Sequence, residues 1–201
     1  MNVQYINDEI PYIIIDDCYT EEERSEMMFE LDYLTEPRRM IPAGEDSRNS
    51  AGIELKNVPC QYLDPFFNKR EHSSILTITE KIFGNSGEII NNHPHWIYNA
   101  KMINCHWTHI LYYEDEQEYQ PHVDTTRFTA LTYFYREPKR FSGGDLRFDD
   151  YDIEIECINN RVIIFPSMVP HASTPVKMQE HPPGKHGKFC ISQFMLFKSY
   201  S

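Results

Sequence analysis

Hydrophobic and polar positions alternate in short runs over the second half of the chain. From Glu88 onward, runs rich in Tyr, Phe, Ile, Val and Thr have the length of strands and are separated by turn residues. The pattern predicts strands over residues 101–113, 120–124, 128–136, 145–148, 153–158, 161–165 and 188–197. Many short strands with turns between them indicate a sandwich or a barrel.

The N-terminal part of the chain has a different pattern. Residues 12–15 are apolar and predict a buried strand. Thr20 and Glu23 form a capping box, because Glu23 occupies the third position of a helix that Thr20 would cap. The pattern therefore predicts a helix over residues 21–34.

Two further segments complete the N-terminal part. Residues 35–59 are polar and interrupted by proline and glycine, which predicts a long loop of the kind that often forms a lid or binding loop. A second helix is expected over residues 73–83, ending at the turn signal of residues 84–87.

Charge and cysteine content narrow the classes of function. The net charge of −12 disfavours a nucleic-acid partner, since binding to a phosphate backbone depends on clustered basic residues. The five cysteines are scattered and form no Cys-x-x-Cys motif, so we expect reduced thiols in a cytoplasmic protein. The first ten residues lack the features of a signal peptide, and no stretch approaches the roughly 20 apolar residues of a membrane span, so no membrane association is expected.

A candidate metal site is formed by His122, Asp124 and the later His171. Two imidazoles and one carboxylate are the ligand set that holds non-haem Fe(II) on one face and leaves the other face open. His122 and Asp124 are two residues apart, so on one strand both would project to the same side. His171 is then expected to come from a neighbouring strand.

Other histidines are expected to be packing residues. His93, His95, His106 and His109 occur in two pairs, but no cysteine or carboxylate lies at a spacing useful for zinc. His181 lies in a loop rich in proline and glycine, where we expect it to be solvated.

Four ordered motifs carry a resemblance to a known family. They are YEDEQEYQPHVD at residues 113–124, GGDLRF at 143–148, NRVIIFPS at 160–167, which leads to His171, and KFCISQF at 188–194. Together they resemble the Fe(II)- and 2-oxoglutarate-dependent oxygenases of the prolyl-4-hydroxylase type. The resemblance extends over roughly residues 12–197.

The resemblance implies roles for individual residues. His122, Asp124 and His171 are the expected iron ligands and catalytic residues. Lys188 is expected to pair with the distal carboxylate of 2-oxoglutarate, with Lys177 and Lys185 as nearby alternatives.

The remaining co-substrate contacts are less specific. Tyr113 matches a tyrosine that hydrogen-bonds the same carboxylate, while Tyr133 or Tyr135 could take that role instead. Ser192 shares a strand face with Lys188 and is a further candidate contact. The glycine pair Gly143-Gly144 matches a tight turn beside the metal.

The implied fold is mainly β with flanking α-helices, a double-stranded β-helix, also called a jelly-roll or cupin-like barrel. We expect one domain over residues 1–201, with helical support over about 1–87 and the β-helix core over about 88–198. The implied cofactors are Fe(II), 2-oxoglutarate and dioxygen, with ascorbate as a further candidate. The implied reaction is hydroxylation coupled to oxidative decarboxylation of 2-oxoglutarate.

Three functional hypotheses follow. The first is hydroxylation of a prolyl residue in a peptide or protein. The second is hydroxylation of a free amino acid or another small metabolite. The third is a non-catalytic cupin-like binding module that kept the fold and lost the reaction, which predicts a missing metal ligand or a missing 2-oxoglutarate anchor. The motifs do not predict the oligomeric state.

Overall fold

The computed structural model describes residues 1–44, 47–48, 51–83 and 88–199. Its N-terminal part contains three strands, β1 (Asn2–Asn7), β2 (Pro11–Asp16) and β3 (Cys60–Tyr62), and four helices, α1 (Glu21–Leu34), α2 (Leu63–Phe66), α3 (Ser74–Ile78) and α4 (Glu88–Asn91). β2 contains the strand predicted over residues 12–15, whereas β1 and β3 were not predicted. The predicted end of the second helix, at residues 84–87, lies outside the described residues.

The predicted capping box at the start of α1 is present. The Glu23 backbone N–H donates to the Thr20 hydroxyl at 3.2 Å, and the Thr20 N–H donates to the Glu23 carboxylate at 2.8 Å. The second predicted helix is shorter, because α3 gives way to a 3-10 turn over Thr79–Ile82. With 14 residues α1 is the longest helix, and no helix of the described ranges has the length and hydrophobicity of a membrane span.

Ten strands follow: β4 (Cys105–Tyr113), β5 (Tyr119–His122), β6 (Phe128–Phe134), β7 (Phe141–Gly143), β8 (Leu146–Phe148), β9 (Ile153–Ile155), β10 (Arg161–Pro166), β11 (His171–Ser173), β12 (Val176–Met178) and β13 (Lys188–Leu196). Each of the seven predicted strands is present with shifted ends. The first begins at Cys105 instead of residue 101, because Ala100–Met102 form a 3-10 turn.

The strands form antiparallel sheets. A major sheet has the order β1-β2-β10-β6-β13-β4-β3, a minor sheet has the order β5-β11-β8-β9, and β7 pairs with β12. The predicted double-stranded β-helix is thereby confirmed. The N-terminal strands extend the major sheet at both edges, with β1 and β2 on one side and β3 on the other.

Alternation along the major sheet separates two hydrophobic cores. On β6, Phe128, Ala130 and Phe134 pack on the side of α1, whereas Tyr133 faces the second core between the sheets. This follows from the two-residue period of a strand. Side chains on the same face of the sheet as Tyr133 therefore line the interior of the barrel, where the candidate site lies.

Candidate metal centre and co-substrate pocket

Three side chains predicted as metal ligands meet at one end of the barrel. Each of His122, Asp124 and His171 offers a ligand atom, and these atoms lie within 4.8 Å of one another. His122 and His171 are paired directly across β5 and β11, as expected for a ligand from a neighbouring strand. Asp124 differs from the expectation, because β5 ends at His122. The Asp124 N–H instead donates to the Ser167 carbonyl at 2.9 Å, which fixes the turn.

The two imidazoles are oriented by the backbone. Nδ1 of His122 lies 2.8 Å from the Gln120 carbonyl oxygen, and Nδ1 of His171 lies 2.9 Å from that of Val169. A carbonyl only accepts, so each Nδ1 carries the hydrogen and each Nε2 keeps its lone pair. The Nε2 atoms lie 3.8 Å and 3.5 Å from the Asp124 carboxylate. This arrangement could hold a divalent metal ion.

The surroundings of His122 and Asp124 favour the protonation states that metal binding requires. Burial, together with the neighbouring His171, lowers the pKa of His122 to about 4, so its imidazole is neutral at neutral pH. Burial acts to raise the pKa of Asp124, but the contact with His171 and the Thr129 hydroxyl outweigh it and hold that pKa below its usual value. A metal ion therefore displaces no proton from these two side chains at neutral pH.

Three hydroxyl groups in contact with one another fix the orientation of the Asp124 carboxylate. The buried Thr129 hydroxyl donates to the Asp124 carboxylate at 2.6 Å and also contacts the Ser167 hydroxyl at 2.9 Å. The Ser167 hydroxyl in turn lies 2.8 Å from that of Thr126. Such contacts fix the orientation of a ligand and tune its affinity for metal.

Replacing Thr129 by valine keeps its shape and removes this hydrogen bond. We expect the affinity of the Thr129→Val protein for Mn(II) to fall about 10- to 100-fold, because the carboxylate loses its orienting donor. Calorimetric titration with Mn(II) measures this. Thr132→Val is the matched control, since Thr132 is buried on the opposite face of the same strand. An unchanged Mn(II) affinity in Thr129→Val would contradict the supporting role.

Lys188 lies in the same pocket as the three candidate ligands. Its side chain is buried, and its ammonium donates to the Gly144 carbonyl at 2.6 Å and to the Ser173 hydroxyl at 2.7 Å. Burial lowers the pKa of this ammonium below its usual value. A buried cation with one donor still available suits a carboxylate ligand.

The alternative lysines lie elsewhere. Lys185 donates to the Asp32 carbonyl and the Thr35 hydroxyl, and Lys177 lies exposed on β12. Neither lines the pocket.

The turn at Gly144 makes room for Lys188. Gly144 has a φ of +73°, and a Cβ atom there would come within 3.0 Å of the Lys188 Cδ atom. Glycine is therefore required both by the backbone conformation and by the close approach of the lysine.

Two of the three candidate tyrosines surround the ammonium of Lys188. It lies 4.2 Å from the ring centre of Tyr113 and 4.8 Å from that of Tyr133. Tyr135 lies outside the pocket and packs against Phe141, because β6 ends at Phe134. Ser192 lines the pocket beside Cys190.

Other pocket residues were not identified from the sequence. They are Tyr119, whose ring stacks on His122 with the ring centres 3.7 Å apart, together with His109, Thr129 and Ser173. The parity of β4 could have identified His109, which is two strand periods from Tyr113 on the same face. Two of the histidines expected to be packing residues do pack, with His93 on Tyr98 and His106 on Phe83.

Comparison with known proteins supports the resemblance predicted from the sequence motifs. A family model described as the 2OG-Fe(II) oxygenase superfamily matches residues 108–195. No curated protein sequence matches the chain.

Solved structures with the same fold include three prolyl hydroxylases. A viral collagen prolyl hydroxylase from Paramecium Bursaria Chlorella virus-1, in complex with 2OG, is 18% identical, with a TM-score of 0.57 over 92% of this chain and 94% of that chain. A Pseudomonas putida prolyl-4-hydroxylase is 15% identical, with a TM-score of 0.64 over 95% of each chain. A Trichoplax adhaerens prolyl hydroxylase, in complex with a peptide fragment of hypoxia inducible factor, is 13% identical, with a TM-score of 0.66 over 92% of this chain and 83% of that chain.

The matched residues carry the candidate ligands and Lys188. Enzymes of this superfamily use Fe(II), 2-oxoglutarate and dioxygen, the cofactors expected from the sequence. Residues 108–195 therefore match the 2OG-Fe(II) oxygenase superfamily, the family that the four sequence motifs resemble.

Proposed function

We propose that this protein is a dioxygenase that hydroxylates a C–H bond of a prolyl residue in a peptide or protein. The observation that carries the proposal is one pocket that combines the His122, Asp124 and His171 cluster with the buried cation of Lys188. Bound there, Fe(II) would supply the oxidative chemistry in which dioxygen and 2-oxoglutarate yield succinate, carbon dioxide and a hydroxylated substrate.

Different side chains of the pocket would bind the metal and the co-substrate. The Nε2 atoms of the two histidines and the Asp124 carboxylate would hold the metal. Lys188 and the Ser173 hydroxyl would hold the distal carboxylate of 2-oxoglutarate, since both can donate hydrogen bonds to it. Leu111, Leu131 and Leu146 line the remaining walls and exclude water from the bound co-substrate.

An aromatic wall near the metal cluster supports a prolyl substrate. His109 and Phe194 line the pocket, and their ring centres lie 4.8 Å apart. A pyrrolidine ring is compact and apolar, and aromatic faces are common docking sites for proline. The similarity in fold to prolyl hydroxylases adds support for this class of substrate.

The experiment compares a proline-containing peptide with free L-proline at equal proline concentration. Protein loaded with Fe(II) and supplied with 2-oxoglutarate and dioxygen is expected to release succinate in step with hydroxylation of the peptide. Hydroxylation is detected as a 16 Da increase in peptide mass. Succinate release coupled only to the free amino acid would favour the small-metabolite hypothesis. The absence of turnover with bound metal and co-substrate would favour the binding module.

A further inference from the structure

A tryptophan lies beside the pocket without being part of its wall. Trp107 is 51% exposed and belongs to β4. By the alternation of a strand, it projects to the same side as His109 and Tyr113, which line the pocket. A large exposed apolar side chain that continues the wall of a binding pocket is a candidate contact for a ligand that extends beyond it.

The strand register places Trp107 directly across the sheet from Thr129, which contacts the metal cluster. Trp107 pairs with Phe194 across β4 and β13, and Phe194 pairs with Thr129 across β13 and β6. Thr129 is the residue whose hydroxyl donates to Asp124. Neighbouring strands are about 4.8 Å apart, so the Trp107 backbone lies about 9.6 Å from that of Thr129.

The indole of Trp107 contacts the ammonium of a lysine that follows β13. The Lys198 ammonium lies 5.3 Å from the ring centre of Trp107. Lys198 is itself tied to the start of β4, because its N–H donates to the Asn104 side chain at 2.7 Å and its carbonyl accepts from the Asn104 amide at 2.8 Å. These contacts restrict the Trp107 side chain before a ligand binds, and such restriction lowers the entropy that is lost on binding.

The distance of about 9.6 Å across the strands, from Trp107 to Thr129, matches the repeat of a proline-rich peptide. A polyproline II helix has three residues per turn and rises about 3.1 Å per residue, so residues three apart lie on one side about 9.3 Å from each other. If one proline lies at the metal cluster, the proline three residues away reaches Trp107. A spacing of two residues would direct the second proline away from the indole.

We propose that Trp107 is an outer subsite that binds a proline three residues from the hydroxylated residue, and that it thereby selects substrates with a Pro-x-x-Pro spacing. This inference rests on the proposed function, since it takes the prolyl target to lie at the metal cluster. It adds a residue and a spacing that determine specificity.

Two heptapeptides of equal composition test the spacing. Acetylated and amidated Pro-Ala-Ala-Pro-Ala-Ala-Pro carries prolines three residues apart, whereas Ala-Pro-Ala-Pro-Ala-Pro-Ala carries them two apart. Binding of each peptide is measured by calorimetry on the whole chain loaded with Mn(II) and 2-oxoglutarate. The variants are Trp107→Ala and Trp107→Phe. Trp96→Ala is the matched control, because Trp96 is the other tryptophan of the chain and is 81% exposed in a loop.

The wild type is expected to bind the peptide of spacing three about fivefold more tightly than the peptide of spacing two, the size of one aromatic contact. Trp107→Ala should abolish this ratio, while Trp107→Phe and Trp96→Ala should keep most of it. The ratio is internal to each variant, so a general loss of stability does not imitate the result.

Equal affinity of the wild type for both peptides, or a ratio that survives in Trp107→Ala, would overturn the inference. So would failure of both peptides to bind. A separate calorimetric titration of the Mn(II)-loaded protein with 2-oxoglutarate, made before peptide is added, reports binding of the co-substrate. Loss of peptide discrimination with intact 2-oxoglutarate binding therefore rejects the Trp107 subsite alone, while absence of 2-oxoglutarate binding rejects the proposed function.

Discussion

Replacement of His171 by alanine is expected to lower 2-oxoglutarate-dependent turnover by at least about 100-fold, the upper range for changes in the groups that merely support a metal ligand. His171 is 3% exposed, and its Nε2 atom lies 3.5 Å from the Asp124 carboxylate. Removing it takes away one of three ligand atoms, while the paired strands β5 and β11 remain. The measurement is the rate of succinate formation at saturating Fe(II), together with the thermal unfolding midpoint.

The control for this change is His181→Ala. His181 is also a histidine of the C-terminal half, but its side chain is 71% exposed and lies outside the pocket. We expect this variant to retain wild-type turnover. A His171→Ala protein that is folded and still turns over at more than a tenth of the wild-type rate would exclude His171 as a metal ligand.

Replacement of Lys188 by alanine is expected to weaken 2-oxoglutarate binding by at least about 30-fold, because removing one member of a buried, hydrogen-bonded charge pair costs about 2 kcal/mol or more. The bound carboxylate would lose its only buried cation among the described residues that line the pocket. Metal binding should change little, since Lys188 offers no ligand atom to the cluster. Calorimetric titration of Mn(II)-loaded protein with 2-oxoglutarate separates the two effects.

The affinity for 2-oxoglutarate is also expected to depend on pH through the charge of Lys188. The ammonium attracts a carboxylate only while it is protonated, and burial lowers its pKa. The affinity for 2-oxoglutarate should therefore weaken as pH rises, beginning below the ordinary lysine pKa, whereas Lys188→Arg should lack this decline. Lys177→Ala and Lys185→Ala are the controls, because both lysines lie outside the pocket. A 2-oxoglutarate affinity that falls in Lys185→Ala but not in Lys188→Ala would move the anchor to Lys185.

Local patterns predicted the elements that position the site. The capping box of Thr20 and Glu23, the alternation along β13 and the His-x-Asp spacing of His122 and Asp124 each depend on few neighbouring residues. The resemblance assigned Lys188 to 2-oxoglutarate, strand parity placed it on the same face as Ser192, and both side chains line the pocket.

Other features depend on contacts between distant segments. Asp124 lies past the end of β5 because its N–H pairs with Ser167, more than forty residues later. Tyr135 leaves the pocket because β6 ends one residue before it. The strands β1 and β3 were not predicted, since only pairing with β2 and β4 gives these short segments their conformation. Likewise, the alignment of Trp107 with Thr129 across the sheet follows from the register of β4, β13 and β6.

The measurement that tests the central claim most directly is anaerobic titration of the Fe(II)-loaded protein with 2-oxoglutarate, followed by the weak visible absorption that a 2-oxo acid produces when it chelates Fe(II). The account predicts a band that saturates in the wild type, is absent in His122→Ala, and requires much higher 2-oxoglutarate concentrations in Lys188→Ala. A wild-type protein that is folded, receives Fe(II) and develops no band would contradict the account and leave the non-catalytic binding module as the function of this fold.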